Sequence, residues 1–91
     1  MYLEIVSPEA TLFSGDVTSI AVPGVNGEFE MLKDHAPIVS LLKAGHVKIY
    51  GDITLNEDVQ DKFTKEGKGT WLAINSGTLE MKGNKVIVLA D

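Results

Sequence analysis

Hydrophobic and polar side chains alternate with a period of two residues along most of this chain. Near the start, Leu3 and Ile5 flank Glu4. Because successive side chains of a strand point to opposite faces, this alternation is typical of strands with one buried and one solvated face. The same pattern recurs in four further segments, residues 20–22, 28–31, 46–50 and 78–82. The chain is therefore predicted to be all-β.

Two segments depart from this alternation. Residues 86–89 form a continuous, mostly β-branched apolar run, which predicts a strand covered on both faces. Residues 38–43 hold the one plausible helical turn, which is too short to be an independent helix. The mixed-charge stretch 51–69 is predicted to be an edge hairpin with a solvated tip, whose charges discourage edge-to-edge aggregation.

Turn signals separate the predicted strands at short, regular intervals. They are Ser7-Pro8, Ser14-Gly15-Asp16, Pro23-Gly24, Asn26-Gly27, Ala44-Gly45 and Ser76-Gly77. Gly83-Asn84 separates two strand patterns by two residues, which predicts a tight hairpin. Short strands at this spacing favour an antiparallel β-sandwich of about 8–10 short strands, with a barrel as the related alternative. With no linker or repeat, residues 1–91 are expected to form a single domain.

Composition excludes several classes of function. The chain has 91 residues, a net charge of −5 and no cysteine, so disulfides, thiolate metal sites and cysteine nucleophiles are excluded. All basic residues are lysines, and the missing arginine fork argues against a nucleic-acid partner. No apolar run approaches the roughly 20 residues of a membrane helix, so direct membrane insertion is not expected.

The segment 22–39 is the most informative part of the sequence. It places an acidic strand, residues 28–32, between the turn 24–27 and a stiff His-Ala-Pro corner. Glu28 and Glu30 project from one face, about 6–7 Å apart along the strand. The pair has three interpretations: a general acid and base, a solvated polar face, or an acidic docking ridge.

The sequence offers few other chemical groups. His35 can serve as a base, a metal ligand or a structural residue, but His46 is the only other imidazole and the ligand spacing is poor. No serine sits in a G-x-S-x-G elbow, and the turn 24–27 is neither of the common phosphate-binding loops. We therefore predict no catalytic residue, no metal site, no nucleotide site and no cofactor.

Several segments together carry a family resemblance. They are LEIVSPE at 3–9 leading to LFSGDV at 12–17, PG at 23–24 leading to GEF at 27–29 and HAP at 35–37, GHVKI at 45–49, and SGTLEM at 76–81 followed by NKVIVLAD at 84–91. In order and spacing, the chain resembles the epsilon subunit of F-type ATP synthase, specifically its N-terminal β-sandwich domain. The segment 51–69 lies outside the resemblance.

The resemblance implies a non-catalytic subunit of the central stalk, or rotor. Such a subunit binds the gamma subunit and the membrane ring of c subunits, and couples ring rotation to ATP synthesis in the catalytic alpha/beta head, which it contacts only indirectly. The implied location is peripheral to the membrane through the complex, on the cytoplasmic face of a bacterial inner membrane or the equivalent side of an organelle membrane. The residues carried over by motif are Glu28, Phe29 and Glu30 for the c-ring, and Ser7, His35 and Ser40 for gamma.

The sequence departs from the family pattern at three places. Glu30 replaces a usual glycine, and Ser76-Gly77 replaces a usual double glycine. At the sequence end, many members continue into a helical hairpin that inhibits ATP hydrolysis, and in some binds ATP. The chain as given is therefore expected to couple without that inhibition and to lack an ATP site.

Two other functions remain open from the residues alone. One is a small β-sandwich module that binds a ligand or acts as an adaptor, which requires a concave aromatic-lined pocket. The other is a small hydrolase that uses Glu28, Glu30 and His35.

Overall fold

Ten strands and one short 3-10 helix make up the protein in this computed structural model, which describes residues 1–91. The strands are β1 Tyr2–Val6, β2 Thr11–Asp16, β3 Ser19–Gly24, β4 Gly27–Leu32, β5 Ile38–Leu42, β6 Gly45–Tyr50, β7 Phe63–Glu66, β8 Gly69–Ile74, β9 Gly77–Lys82 and β10 Lys85–Ala90. The 3-10 helix spans Gln60–Lys62. The prediction of an all-β fold with about 8–10 short strands is confirmed.

The strands form two five-stranded halves that fold over each other. One half has the order β2-β1-β10-β9-β5 and the other the order β4-β3-β6-β8-β7. The halves join at β3, whose second edge pairs with β6 over Ser19–Ala21 and with β5 through Gly24 and Leu42. A single buried cluster contains side chains of both halves, so the architecture is a β-sandwich.

One ladder departs from the antiparallel prediction. β1 and β10 run parallel, in register from Tyr2 opposite Lys85 to Val6 opposite Leu89, whereas the other ladders are antiparallel. Each of these two strands belongs to an antiparallel hairpin, β1–β2 or β9–β10. Docking the first hairpin beside the last one produces the parallel contact.

The core takes alternate side chains from each strand. In the first half, one inward row crosses five strands and holds Ser40, Leu79, Val88, Ile5 and Phe13. The prediction that residues 86–89 are covered on both sides is wrong, because Leu89 is 52% exposed. A sandwich has only two layers, so each strand keeps one outer face.

The structure also corrects two local predictions. Residues 38–42 form strand β5, not a helical turn, because β5 pairs with β9 along its whole length. The segment 51–69 is not one hairpin: it contains irregular chain, the 3-10 helix and β7, and β7 forms its hairpin with β8. Val59 and Phe63 anchor this segment in the core.

No helix of the protein has the length and apolar character needed to cross a membrane. Nor does any group of three or more histidine, cysteine or acidic side chains form a metal-binding cluster.

Candidate interaction surfaces

The acidic residues of β4 lie on the outer face of the second half of the sandwich. Glu28 and Glu30 are exposed, whereas Phe29 and Met31 between and beyond them turn toward the core. β4 pairs only with β3, so it is an edge strand. The predicted one-sided placement of the two carboxylates is confirmed. Both follow the Gly24–Gly27 turn, which lies at one end of the sandwich, called here the turn end.

Both carboxylates have partners within the chain. Glu28 Oε1 lies 2.8 Å from Lys48 Nζ, and Glu30 Oε2 accepts a hydrogen bond of 3.1 Å from Ser19 Oγ. The hydrogen bond to Glu28 raises the pKa of the Lys48 ammonium above its ordinary value. Neither carboxylate is arranged as a paired acid and base, because each is bound to a different group.

Lys48 also contacts an aromatic ring. Its Nζ lies 4.4 Å from the centroid of Trp71, within the range of a cation–π interaction. The His46 ring also contacts Trp71, with its centroid 5.3 Å from that of Trp71. The outer face of this half therefore carries a continuous series of contacts from Glu28 through Lys48 to Trp71 and His46.

Phe29 faces the opposite way from the two glutamates. It is half-buried and packs against the core. A Cβ added at Gly24 would lie 2.7 Å from the Phe29 ring, so the turn can approach the ring only because residue 24 is glycine. Phe29 therefore supports the turn from beneath.

Ser40 lies near the turn end, on the inward row of β5. It is half-exposed, and its Oγ donates to the Leu41 carbonyl at 3.3 Å. Together with Glu28 and Phe29 it lines a shallow groove of about 300 Å³. Ser40 is thus the one predicted gamma contact that lies beside the predicted ring contacts.

Ser7 and His35 lie at opposite ends of the sandwich. Ser7 follows β1 at the turn end, where its backbone N donates to the Ala10 carbonyl at 2.8 Å. His35 lies in the β4–β5 loop at the other end, with Nδ1 2.7 Å from the Ala36 carbonyl oxygen. The structure therefore does not bring Ser7, His35 and Ser40 together, and it separates His35 from Glu28 by the length of β4.

An exposed apolar surface was missed by the sequence reasoning. We call it the apolar face, and it consists of Val25, Val39, Leu41 and Leu89. Leu41 and Leu89 both pair with Thr78, so they share one outer row, and Val25 N donates to the Leu41 carbonyl at 3.2 Å. Val39 is 74% exposed and Leu41 62% exposed.

A sequence signal for this face did exist. Both β5 and β10 carry hydrophobic residues at outward as well as inward positions. In a two-layer sandwich, such runs leave apolar side chains on the outside, and exposed apolar patches are a common feature of interaction sites.

Comparisons with known proteins agree along the whole chain. The family model described as the β-sandwich domain of the ATP synthase delta/epsilon chain matches residues 1–91. The ATP synthase epsilon chain of Chlorobium limicola is 38% identical over 89 residues, which cover 98% of this chain and 86% of that protein. The epsilon chain of Campylobacter concisus is 40% identical over 91 residues, and the match spans only 60% of its length.

Solved structures show the same fold at low sequence identity. A chain in the structure of the Tetrahymena thermophila mitochondrial ATP synthase central stalk and c-ring superposes with a TM-score of 0.73 at 13% identity. The match covers 99% of this chain and 62% of that one. A chain of the Euglena gracilis mitochondrial ATP synthase gives the same TM-score at 16% identity.

Proposed function

This chain belongs to the ATP synthase delta/epsilon family, whose β-sandwich domain it matches throughout, and we propose that it binds the gamma subunit and the c-ring and couples ring rotation to ATP synthesis. The family supplies a non-catalytic subunit of the ATP synthase central stalk. Residues 1–91 serve as one domain in this proposal. The alternative of a ligand-binding module unrelated to ATP synthase loses its support, because the family match covers the whole chain.

The apolar face is the observation that carries the proposed contact with gamma. When a partner covers exposed valine and leucine side chains, the free energy falls by about 25 cal/mol per Å² of apolar surface removed from water. Ser40 lies on the same strand, β5, with its side chain directed to the opposite face from Val39 and Leu41. In this proposal Ser7, His35 and Ser40 are three separate polar contacts with gamma that lie outside the apolar face.

The turn end carries the proposed contact with the c-ring. Glu28 and Glu30 present negative charge on an exposed edge strand, and Phe29 supports them from the core side. An exposed ion pair contributes only about 0–1 kcal/mol. The acidic ridge, formed by Glu28 and Glu30, therefore determines how the chain is oriented against basic groups of the ring. It contributes less to the strength of binding.

The fold suits the transmission of torque. Its core is a single cluster of buried hydrophobic side chains, and protein interiors of this kind have low compressibility. The contact residues are mounted on strands or on tight turns between strands. In this proposal the subunit is peripheral to the membrane and attached through the complex, on the cytoplasmic face of a bacterial inner membrane or its organelle equivalent.

A co-purification experiment tests the gamma contact. Leu41→Gln combined with Leu89→Gln should reduce retention of the gamma subunit at least tenfold, because two exposed apolar anchors become polar. Lys65→Gln, on edge strand β7, is the matched control and should retain gamma fully. Undiminished gamma retention by the double variant, with an unchanged melting temperature, contradicts the proposal.

A further inference from the structure

Edge strand β4 needs a fixed position if the turn end is to dock in one geometry. It has a backbone partner on one side only, β3. Edge strands and turns are the parts of a sheet that open most readily. A side-chain contact that connects β4 to the interior strands of the sheet therefore restricts the movement of β4.

Lys48 provides that connection across two strand spacings. On the outer face, Glu30, Ala21, Lys48 and Trp71 stand in one register row on β4, β3, β6 and β8. Strands lie about 4.8 Å apart, so β6 and β4 are about 10 Å apart. The small Ala21 between them is buried and leaves room for the Lys48 side chain to reach Glu28.

Trp71 holds the lysine from the other side. Directly opposite Lys48 on β8, its ring lies 4.4 Å from the ammonium nitrogen. The side chain of Lys48 is only 22% exposed, whereas that of Glu28 is 50% exposed. The Lys48 ammonium thus has a partner on each side, Trp71 and Glu28. The Glu28 carboxylate remains partly exposed to solvent.

A second lysine, Lys85, makes contacts of the same kind but with a looser geometry than Lys48. Lys85 lies 3.7 Å from Glu4 and 5.7 Å from the Tyr2 ring centroid, on the outer face of the other half. Its side chain is 52% exposed. The same three chemical groups are present there, but the contacts are longer and the lysine is more solvated.

We infer that Lys48, held between Trp71 and Glu28, is a positioning residue that fixes β4 and orients the Glu28 carboxylate for a basic partner. The docking part of this inference rests on the proposed function, whereas the fixing of β4 does not. Lys48 leaves the exposed side of the carboxylate available. A basic group of the ring then meets a carboxylate whose orientation is already set, which lowers the entropy lost on docking.

The first arm of the test uses the purified chain alone. Trp71 is the only tryptophan, so its fluorescence reports the position of the lysine. Glu28→Gln and Lys48→Met should both shift the Trp71 emission and speed amide hydrogen exchange in β4 about two- to fivefold, because each removes one partner of the ion pair that connects β4 to β6. Lys48→Arg keeps a cation at this position, so its Trp71 emission and β4 exchange should match those of the parent chain. Lys85→Met should change neither readout.

Unchanged Trp71 emission and unchanged β4 exchange in Glu28→Gln overturn the inference. A shift in Lys48→Met alone, with Glu28→Gln silent, also overturns it, because Lys48 would then act on Trp71 without Glu28. Neither outcome bears on the ring contact.

The second arm uses the stalk assembled on membranes and measures how much of the chain stays on the c-ring after a salt wash. Glu28→Gln and Lys48→Met should each reduce retention about two- to fivefold, and the double variant should be no worse than either. Loss with Glu28→Gln but not with Lys48→Met overturns the positioning role and leaves the proposed function standing. Full retention in both refutes the ring contact of Glu28, and with it the docking part of the inference.

Discussion

At the scale of single residues, the geometry of edge strand β4 depends on what each of its side chains contacts. Glu28 binds Lys48, Phe29 packs on the core and Glu30 accepts from Ser19. Three consecutive residues therefore have three different structural roles. The acidic ridge is part of the fold before it meets any partner, so substitutions in it act on geometry as well as on charge.

The ion pair of Lys48 predicts a dependence of stability on pH. Because Glu28 raises the folded-state pKa of Lys48, the pair contributes stability below the unfolded-state pKa of about 10.4 and loses it as pH rises through the higher folded value. The difference in unfolding free energy between the parent chain and Glu28→Gln should be constant from pH 7 to about pH 9 and should vanish above the raised pKa.

Urea denaturation at several pH values measures this difference. Glu4→Gln serves as the control, because its lysine partner is farther away and more exposed. A difference that persists undiminished well above the lysine pKa would show that Glu28 stabilises the fold by some other contact.

At the scale of elements, strand β5 carries both kinds of hydrophobic residue found in this protein, those buried in the core and those exposed on the apolar face. Leu42 is 4% exposed and belongs to the core, whereas its neighbour Leu41 is 62% exposed on the apolar face. The two leucines are chemically identical and adjacent. They therefore distinguish core packing from partner binding within one strand.

Replacing each leucine by alanine should give opposite results. Leu42→Ala should lower the free energy of unfolding by about 2–5 kcal/mol through loss of burial and a residual cavity. Leu41→Ala should change it by less than about 0.5 kcal/mol while weakening gamma retention. Chemical denaturation and co-purification provide the two measurements, and a large loss of stability in Leu41→Ala would contradict its assignment to an interaction surface.

The elements also show how far the sequence alone leads. The two-residue turn at Gly83-Asn84 predicted the β9–β10 hairpin correctly, because hairpin signals are local. Strand β5 was misread as a helical turn, since its pairing with the distant β9 overrides a weak local pattern. The parallel contact of β1 with β10 and the contact of Lys48 with Glu28 both depend on strands that are not neighbours in sequence, so no local signal reveals them.

Among the candidate contact residues, the sequence correctly predicted that the two glutamates share one face of β4. It did not predict the apolar face. Alternation along β4 is sufficient to assign Glu28 and Glu30 to one side. Whether Val39 and Leu89 are exposed depends on how many layers cover their strands, and the tertiary arrangement determines that number. The assignments of individual residues to gamma or to the ring remain predictions.

At the scale of the whole molecule, a sandwich about 32 Å long carries the acidic ridge and the apolar face on different surfaces. The acidic ridge lies on the outer face of one half, and the apolar face lies mainly on the outer face of the other. A body with two separate contact surfaces can touch a shaft and a ring at the same time. The proposed coupling role requires two such surfaces.

Reversing the charge at the ridge should therefore uncouple the assembly without unfolding the chain. Glu28→Lys places two ammonium groups near each other and repels basic groups of the ring, so ATP-driven proton pumping should fall while ATP hydrolysis by the head continues. Glu66→Lys, on edge strand β7, changes the net charge equally and should pump normally. Unchanged pumping by Glu28→Lys, with a normal melting temperature, would count against the ring contact.

The parallel pairing of β1 with β10 also affects how the protein is made. Strand β1 can complete its ladder with β10 only after the strands between them have been synthesised, so the first half of the sandwich cannot close while β2–β9 are emerging from the ribosome. Until then, the inward apolar row of β1 has no neighbour from β10. Nascent chains therefore expose the unpaired edge of β1 until β10 has emerged, and chaperones that recognise unpaired strands can bind it throughout that interval.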